Sequence, residues 1–309
     1  MPVFEKLQPL LGDMNPAHIL GNIAISTELG LKEVLTPETI RHTQDRGATV
    51  CIVNPGPSAR AQDVIDYLNN GVAKDGSRMI RVLASAGYGM LNRGLETAEY
   101  CVVHHPENVY LEKDAAGKMV ESIPGFGDHD LQYLVASMAT AGADPGNPSV
   151  FDLLISKGRT PKIFHAHVAG VTNFSEDKIA VGTGSGAPVA AIALFAALGH
   201  RKFEVFGMDG SSAYAIDLAD TPGMSTYLQG LKDNEIVVRV GGKAFTATKG
   251  FWAQTQELMG FLRDYPEAVQ SIKFSGDTAN AAIFNSWEGK KFTCGPITVL
   301  EKPKGDAGN

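Results

Sequence analysis

Cysteine is scarce in this chain: Cys51, Cys101 and Cys294 are the whole supply in 309 residues. They are odd in number, far apart and without CxxC spacing. That pattern excludes a disulfide framework and a thiolate zinc site, and leaves reduced core thiols. An excess of positive charge is also lacking. Lys and Arg number 27 against 34 Asp and Glu, a formal charge of −7, whereas affinity for nucleic acid depends on clustered cations that neutralise phosphates. The balance argues against a nucleic-acid partner. No stretch approaches the ~20 apolar residues that span a bilayer. Met1-Pro2-Val3-Phe4-Glu5-Lys6 has neither the charged nor the apolar part of a secretory leader, so the expectation is a cytoplasmic protein with no membrane contact. Histidine is missing from the chain beyond His200.

What is plentiful is glycine, 34 residues, in a chain that is 44% hydrophobic and 20% charged. Such a composition suits a globular α/β protein with many tight turns. Residues 1–47 read as an N-terminal helical appendage, with Thr36 capping a helix that has Pro37 in its first turn. Ala48-Thr49-Val50-Cys51-Ile52-Val53 is a continuous apolar run of the kind buried on both faces of a parallel sheet. A helical spacing over 61–70 and strands at 79–84 and 100–103 follow at βαβ intervals. Residues 107–160 are less readable, with a loop at 144–148 before a helix at 151–157. Strands at 161–167 and 203–206 flank a small-residue helix at 187–198. Farther on, Gly241-Gly242 between two alternating runs signals a hairpin, and a helix at 251–264 follows it. The fold class expected is therefore α/β: a Rossmann-like, mostly parallel sheet with helices on both faces over 48–290, including the C-terminal hairpin plus helix. Residues 291–309 read as a tail, frayed from Lys302 onward.

In an open α/β sheet, ligands sit beyond the carboxyl ends of the strands, where loop N–H groups and helix N-termini offer positive dipoles. The candidate motifs fall at such places. Asn54-Pro55-Gly56-Pro57-Ser58 ends the first strand, and reads either as a phosphate cradle or as a plain strand-to-helix turn capped by Ser58. Gly182-Thr183-Gly184-Ser185-Gly186 precedes the small-residue helix. It lacks the Gly-Lys-Ser/Thr ending of a Walker loop, but its Thr183, Gly184, Ser185 and Gly186 would present hydroxyls and N–H groups to an anion. Asp209, in Gly207-Met208-Asp209-Gly210-Ser211, is placed to hold ribose hydroxyls, to bind a metal or to act as a base, or simply to cap a turn. His165 and His167 alternate on one strand and share a face, as a metal pair would. A zinc or iron site needs a third ligand, so hydrogen-bonded crevice histidines are the competing reading. A Mg²⁺ held jointly by Asp209 and ligand phosphates fits the residues better. Phe251 and Trp252 read as structural.

In order and spacing, Asn54-Pro55-Gly56-Pro57-Ser58, His165-Ala166-His167-Val168-Ala169-Gly170, Thr183-Gly184-Ser185-Gly186 and the run Leu198-Gly199 to Asp209-Gly210 resemble the motility accessory factor and MptE-like hydroxymethylpterin diphosphokinase family. With Ser211-Ser212-Ala213-Tyr214-Ala215 they are also similar to bacterial CMP-sialic-acid-dependent sialyltransferases. The resemblance covers roughly 48–290. It implies a nucleotide site lined by Asn54, Gly56, Pro57, Ser58, Ser211 and residues 183–186, with Asp209 beside them. Where that family commonly ends its third strand with an aspartate, this chain has His104, and no histidine follows the Tyr-Ala segment. Three functions are expected on these grounds. The first is a transferase using a nucleotide-activated donor, a glycosyltransferase acting from a CMP or similar sugar, with His165, His167 or Asp209 as base. The second is an ATP- and Mg²⁺-dependent diphosphokinase. The third is a catalytically silent nucleotide-binding or assembly protein. The partner expected is a small-molecule nucleotide, and a homo-oligomer is compatible with the sequence.

Overall fold

The computed structural model describes residues 2–9, 15–41, 47–106, 110–113, 115, 119–139, 149–211 and 224–303. In chain order the strands are β1 (Pro2–Val3), β2 (Thr49–Val53), β3 (Met79–Ala84), β4 (Tyr100–Val103), β5 (Leu111–Lys113), β6 (Met119–Glu121), β7 (Gln132–Ala136), β8 (Lys162–His167), β9 (Ala180–Gly182), β10 (Lys202–Phe206), β11 (Glu235–Val240), β12 (Lys243–Thr248), β13 (Ser271–Phe274) and β14 (Ile297–Glu301). The helices are α1 (Pro16–Glu28), α2 (Pro37–Arg41), α3 (Gln62–Asn70), α4 (Val150–Ser156), α5 (Ala187–Ala197), α6 (Met224–Gln229), α7 (Lys249–Asp264) and α8 (Ala279–Phe284).

Nine strands form one sheet in the order β1-β9-β8-β7-β4-β3-β2-β10-β13, and each neighbouring pair is parallel. A parallel sheet must be covered on both faces, which is why β2 is buried along its whole length and reads as an unbroken apolar run. From β2 the sheet grows outward in one direction through β3, β4, β7, β8 and β9, and then the chain returns to lay β10 and β13 on the other side of β2. Crossovers between parallel strands are right-handed as a rule, and a chain that winds first one way and then the other from β2 by that rule covers opposite faces. The return helix α5 runs across β9, β4, β3 and β2 and also touches α7. Pro188 through Ala197 are all buried. Alanine is frequent there because a helix lying flat on so many strands needs a thin side-chain layer.

The α/β, Rossmann-like, mostly parallel architecture is thus present. The expected hairpin is β11–β12, with Val240 opposite Lys243, and β14 adds a third strand antiparallel to β11. That strand lies in the segment read as a tail. The N-terminal part carries the helices α1 and α2 and is also stitched into the sheet. Pro2 and Val3 pair with Ala180 and Val181, and Val34 N–H donates to the Ile163 carbonyl (2.8 Å). β7, β9 and β13 were not legible in the sequence. The loop at 144–148 and the tail from 304 lie outside the described residues. Among the described residues, no helix is long and apolar enough to cross a membrane.

The thin layer under α5 gives a test. Replacing the fully buried Ala193 by leucine inserts atoms into the packing around the helix, and is expected to cost about 1–3 kcal/mol. The urea midpoint should fall with the slope of the transition unchanged.

Candidate functional site

β2 and β10 are neighbours but belong to opposite phases of the sheet's growth, so the crossovers leave their carboxyl ends in different directions. A crevice opens at such a switch point. The chain fills its floor with backbone. Asn54 N–H donates to the Phe206 carbonyl (2.8 Å), Gly56 N–H to the Gly207 carbonyl (3.1 Å), and the Asn54 Nδ2 also to Gly207 (3.1 Å). The approach is close enough that a Cβ on Gly56 would stand 2.1 Å from the Gly207 carbonyl oxygen, and one on Gly207 would stand 2.0 Å from that of Asn54. Gly207 is also in the left-handed region, φ +72°.

Ser58 joins three strand ends. Its N–H donates to Asp209 Oδ2 (3.1 Å) and its hydroxyl to Oδ1 of the same carboxylate. The same Oγ accepts Gly207 N–H (2.9 Å) and the Ser275 hydroxyl (3.2 Å), the latter just beyond β13. Asp209 is 6% exposed. Burial holds its pKa above the usual carboxylate value, while the Ser58 hydrogen bonds pull the other way. The turn that carries it is fixed from behind: Asn280 Nδ2 donates to the Met208 carbonyl (2.7 Å), and the Thr255 hydroxyl to Asn280 Oδ1 (2.7 Å). Ser211 Oγ accepts Ala279 N–H (3.1 Å) at the start of α8.

This arrangement changes what residues 54–58 offer a ligand. Pro55 and Pro57 have no N–H, and the N–H groups of Asn54, Gly56 and Ser58 are all engaged within the protein. The negative charge already held by the loop is Asp209. Above this floor lies a cleft of about 340 Å³, within the usual range for small-molecule sites. Asn54, Gly56, Pro57, Asp209 and Ser211 line it, and four residues that sequence reasoning missed join them: Arg60, Phe251, Gln254 and Asn280. Arg60 Nε donates to the Pro55 carbonyl (2.8 Å). Among the described residues its two Nη groups have no hydrogen-bond partner, and its charge acts on the Asp209 carboxylate across the cleft. Phe251 is 52% exposed, unlike Trp252, which packs against the core.

Thr183, Gly184 and Ser185 are not among the lining residues. They follow β9, five strand positions from β2. Thr183 is buried, with its hydroxyl 2.8 Å from His104 Nε2. Ser185 N–H donates to Glu257 Oε2 (2.8 Å) and its hydroxyl to Oε1, so a carboxylate from α7 fills the N-terminus of α5. Gly186 reaches the cleft wall only by touching Gln254. His165 and His167 lie on β8, four strand positions from β2, which is about 19 Å at ~4.8 Å per step. His165 is 3% exposed, its Nε2 3.7 Å from Glu33 Oε1, and its ring stands 4.7 Å from that of Phe174. Burial holds its pKa below the ordinary imidazole value. No group of three His, Cys, Asp or Glu side chains is arranged to hold a metal among the described residues. Residues 212–215, part of the sialyltransferase-like segment, lie outside them.

Two outcomes follow from this geometry. Gly56→Ala and Gly207→Ala should each cost about 3 kcal/mol or more in urea unfolding, whereas Gly250→Ala, with open space around its Cβ, should be neutral or slightly stabilising. The second concerns pH. Burial, aided by the charge of His105, pushes the His104 pKa down to about 3 from 6.5. The folded state therefore prefers the neutral ring: its contribution is complete above about pH 6.5 and is lost as pH falls from there toward 3. The slope is at most ~1.4 kcal/mol per pH unit. Unfolding measured at pH 7, 6 and 5 should fall less steeply for His104→Gln than for the wild type.

No family model matches the chain, and no curated protein matches it. Among solved structures it is similar to the MAf glycosyltransferase from Magnetospirillum magneticum AMB-1, with 12% identity and a TM-score of 0.47 over 80% of this chain and 33% of that one. The chain spans about a third of that protein's length, and the reading of the site rests on its own geometry.

Proposed function

We propose that the switch-point cleft binds a nucleotide-activated donor and that the protein is a transferase passing the donor's sugar to an acceptor. The observation that carries the reading is Arg60, a lining residue whose two Nη groups have no hydrogen-bond partner among the described residues while its Nε is anchored on the Pro55 carbonyl. An arginine held by one nitrogen presents the other two as a fork, which matches two phosphate oxygens. Charge builds on the leaving phosphate as a glycosyl bond breaks, and a fixed guanidinium stabilises that charge without reorganising.

Asp209 is the acid–base candidate of the cleft. Its two oxygens accept from Ser58 and keep lone pairs for an acceptor hydroxyl, and burial holds its pKa above the ordinary carboxylate value, which makes it a stronger base once ionised. His165 and His167 are too far along the sheet to reach a ligand there. The diphosphokinase reading asks Asp209 to share a Mg²⁺ with ATP phosphates. Asp209 is the one carboxylate lining the cleft among the described residues, so a metal there would lean on ligand phosphates and water, and the metal is an arm of the test.

The test is binding and turnover with CMP, UDP, ADP, ATP and their sugar derivatives, with and without Mg²⁺. A nucleotide should bind, and Arg60→Ala should weaken it about 10- to 100-fold, the loss of a charged hydrogen-bonding partner, with melting of the unliganded protein unchanged. Release of CMP or UDP from a sugar nucleotide supports glycosyl transfer. AMP release from ATP would replace it with diphosphate transfer. Absence of binding by every nucleotide would leave a silent fold.

A further inference from the structure

α7 turns two side chains of different character into the cleft. Phe251 has its backbone fixed twice over: its N–H donates to the capping Thr248 hydroxyl (3.2 Å), and its carbonyl accepts the Thr255 hydroxyl (3.0 Å). The ring is nevertheless half exposed. An aromatic ring at the rim of a cleft is costly to leave in water and gains by being covered. Gln254, three residues on, has a side-chain amide with no hydrogen-bond partner among the described residues, while also lining the cleft. It lies flat against the backbone of Gly186: a Cβ there would stand 2.8 Å from its Cδ, 2.9 Å from Oε1 and 3.0 Å from Nε2. Gly186 has φ −120° and ψ 145°, a conformation that any residue adopts. The absent side chain leaves the space that the amide occupies, and a Cβ there would push the flexible amide aside.

On the nucleotide reading above, we infer that Phe251 and Gln254 are the base-recognising pair, with Gly186 holding the amide in place. The Phe251 ring stacks a planar nitrogen heterocycle. The Gln254 amide, with an acceptor and a donor side by side, reads an edge that carries a donor next to an acceptor, as nucleobases do. The same cleft then divides its work: Arg60 takes the phosphate, and α7 takes the base.

The pair can be separated from the phosphate site with two probes, a nucleoside monophosphate (CMP, UMP or AMP) and ribose 5-phosphate, which has the phosphate and no base. Wild-type protein should bind at least one nucleotide more tightly than ribose 5-phosphate. Phe251→Ala should lower that nucleotide's affinity on the order of 10- to 100-fold, the range for base–aromatic stacking, and leave ribose 5-phosphate unchanged. Gln254→Leu should cost about 2- to 10-fold and level the preference among the three nucleotides. Gly186→Ala keeps every hydrogen-bonding group but displaces the flexible amide, and should reproduce the Gln254→Leu result with normal melting. Nucleotide affinities indifferent to all three changes but lost on Arg60→Ala would overturn this inference and leave the donor reading standing. A wild-type protein that binds neither nucleotides nor ribose 5-phosphate would overturn both.

Discussion

Two backbones in direct contact hold the cleft together. Residues 54–58 and 207–209 approach so closely that neither Gly56 nor Gly207 has room for a Cβ, and the contact is sealed by one serine, whose N–H and hydroxyl both go to Asp209. An unpaired carboxylate at this depth would be costly; here the hydrogen bonds that compensate its burial come from the facing loop. The arrangement locks the carboxyl ends of β2 and β10, and through Ser275 that of β13. The cleft walls are then set by what those strands lead into.

The same chemistry recurs at the α5 N-terminus, where Glu257 receives the N–H and the hydroxyl of Ser185. In both places a glycine- and serine-rich turn that reads as an anion cradle already holds an anion from its own chain. Carboxylate and phosphate are alike as acceptors, so a motif built to satisfy one looks, in one dimension, like a motif built for the other. What distinguishes them is the distant acidic residue, which only the fold brings near. Arg60, the Lys or Arg side chain that lines the cleft among the described residues, stands two residues beyond the motif.

This explains which parts of the molecule the sequence made legible. Strands β2, β3 and β4 are mostly apolar and buried on both faces, β10 alternates between half-buried and buried residues before an apolar end, and the hairpin has a two-glycine turn, so each carries its own local signal. β9 has three residues, β13 is a short edge strand, and β14 alternates in a segment rich in Pro, Gly and Lys. Those signals are too brief to separate from loop. The loop ends of β2 and β10 were visible as candidate site residues because glycine, proline and hydroxyl side chains cluster there. Phe251, Gln254 and Asn280 were not, because nothing local separates a helix residue facing a cleft from one facing solvent. His165 and His167 were legible as a pair, but the strand order, which fixes their distance from the switch point, is a property of the whole sheet.

The strand order also has a consequence for how the protein is made. Asn54 and Gly207, partners in the cleft floor, are 153 residues apart in the chain. The outward phase of the sheet can grow by pairing each new strand with a recent neighbour, whereas β10 must return to β2 after β9 is in place. Closing so long a loop is entropically unfavourable and slow. During synthesis, the half of the cleft that ends in Asn54-Pro55-Gly56-Pro57-Ser58 therefore waits, with its N–H groups unpaired and the β2 edge open, until more than two hundred residues have emerged. Edge strands in that state are prone to pair wrongly with other chains. The strand end that forms the floor of the cleft in the folded protein is, on the ribosome, an open edge exposed to aggregation.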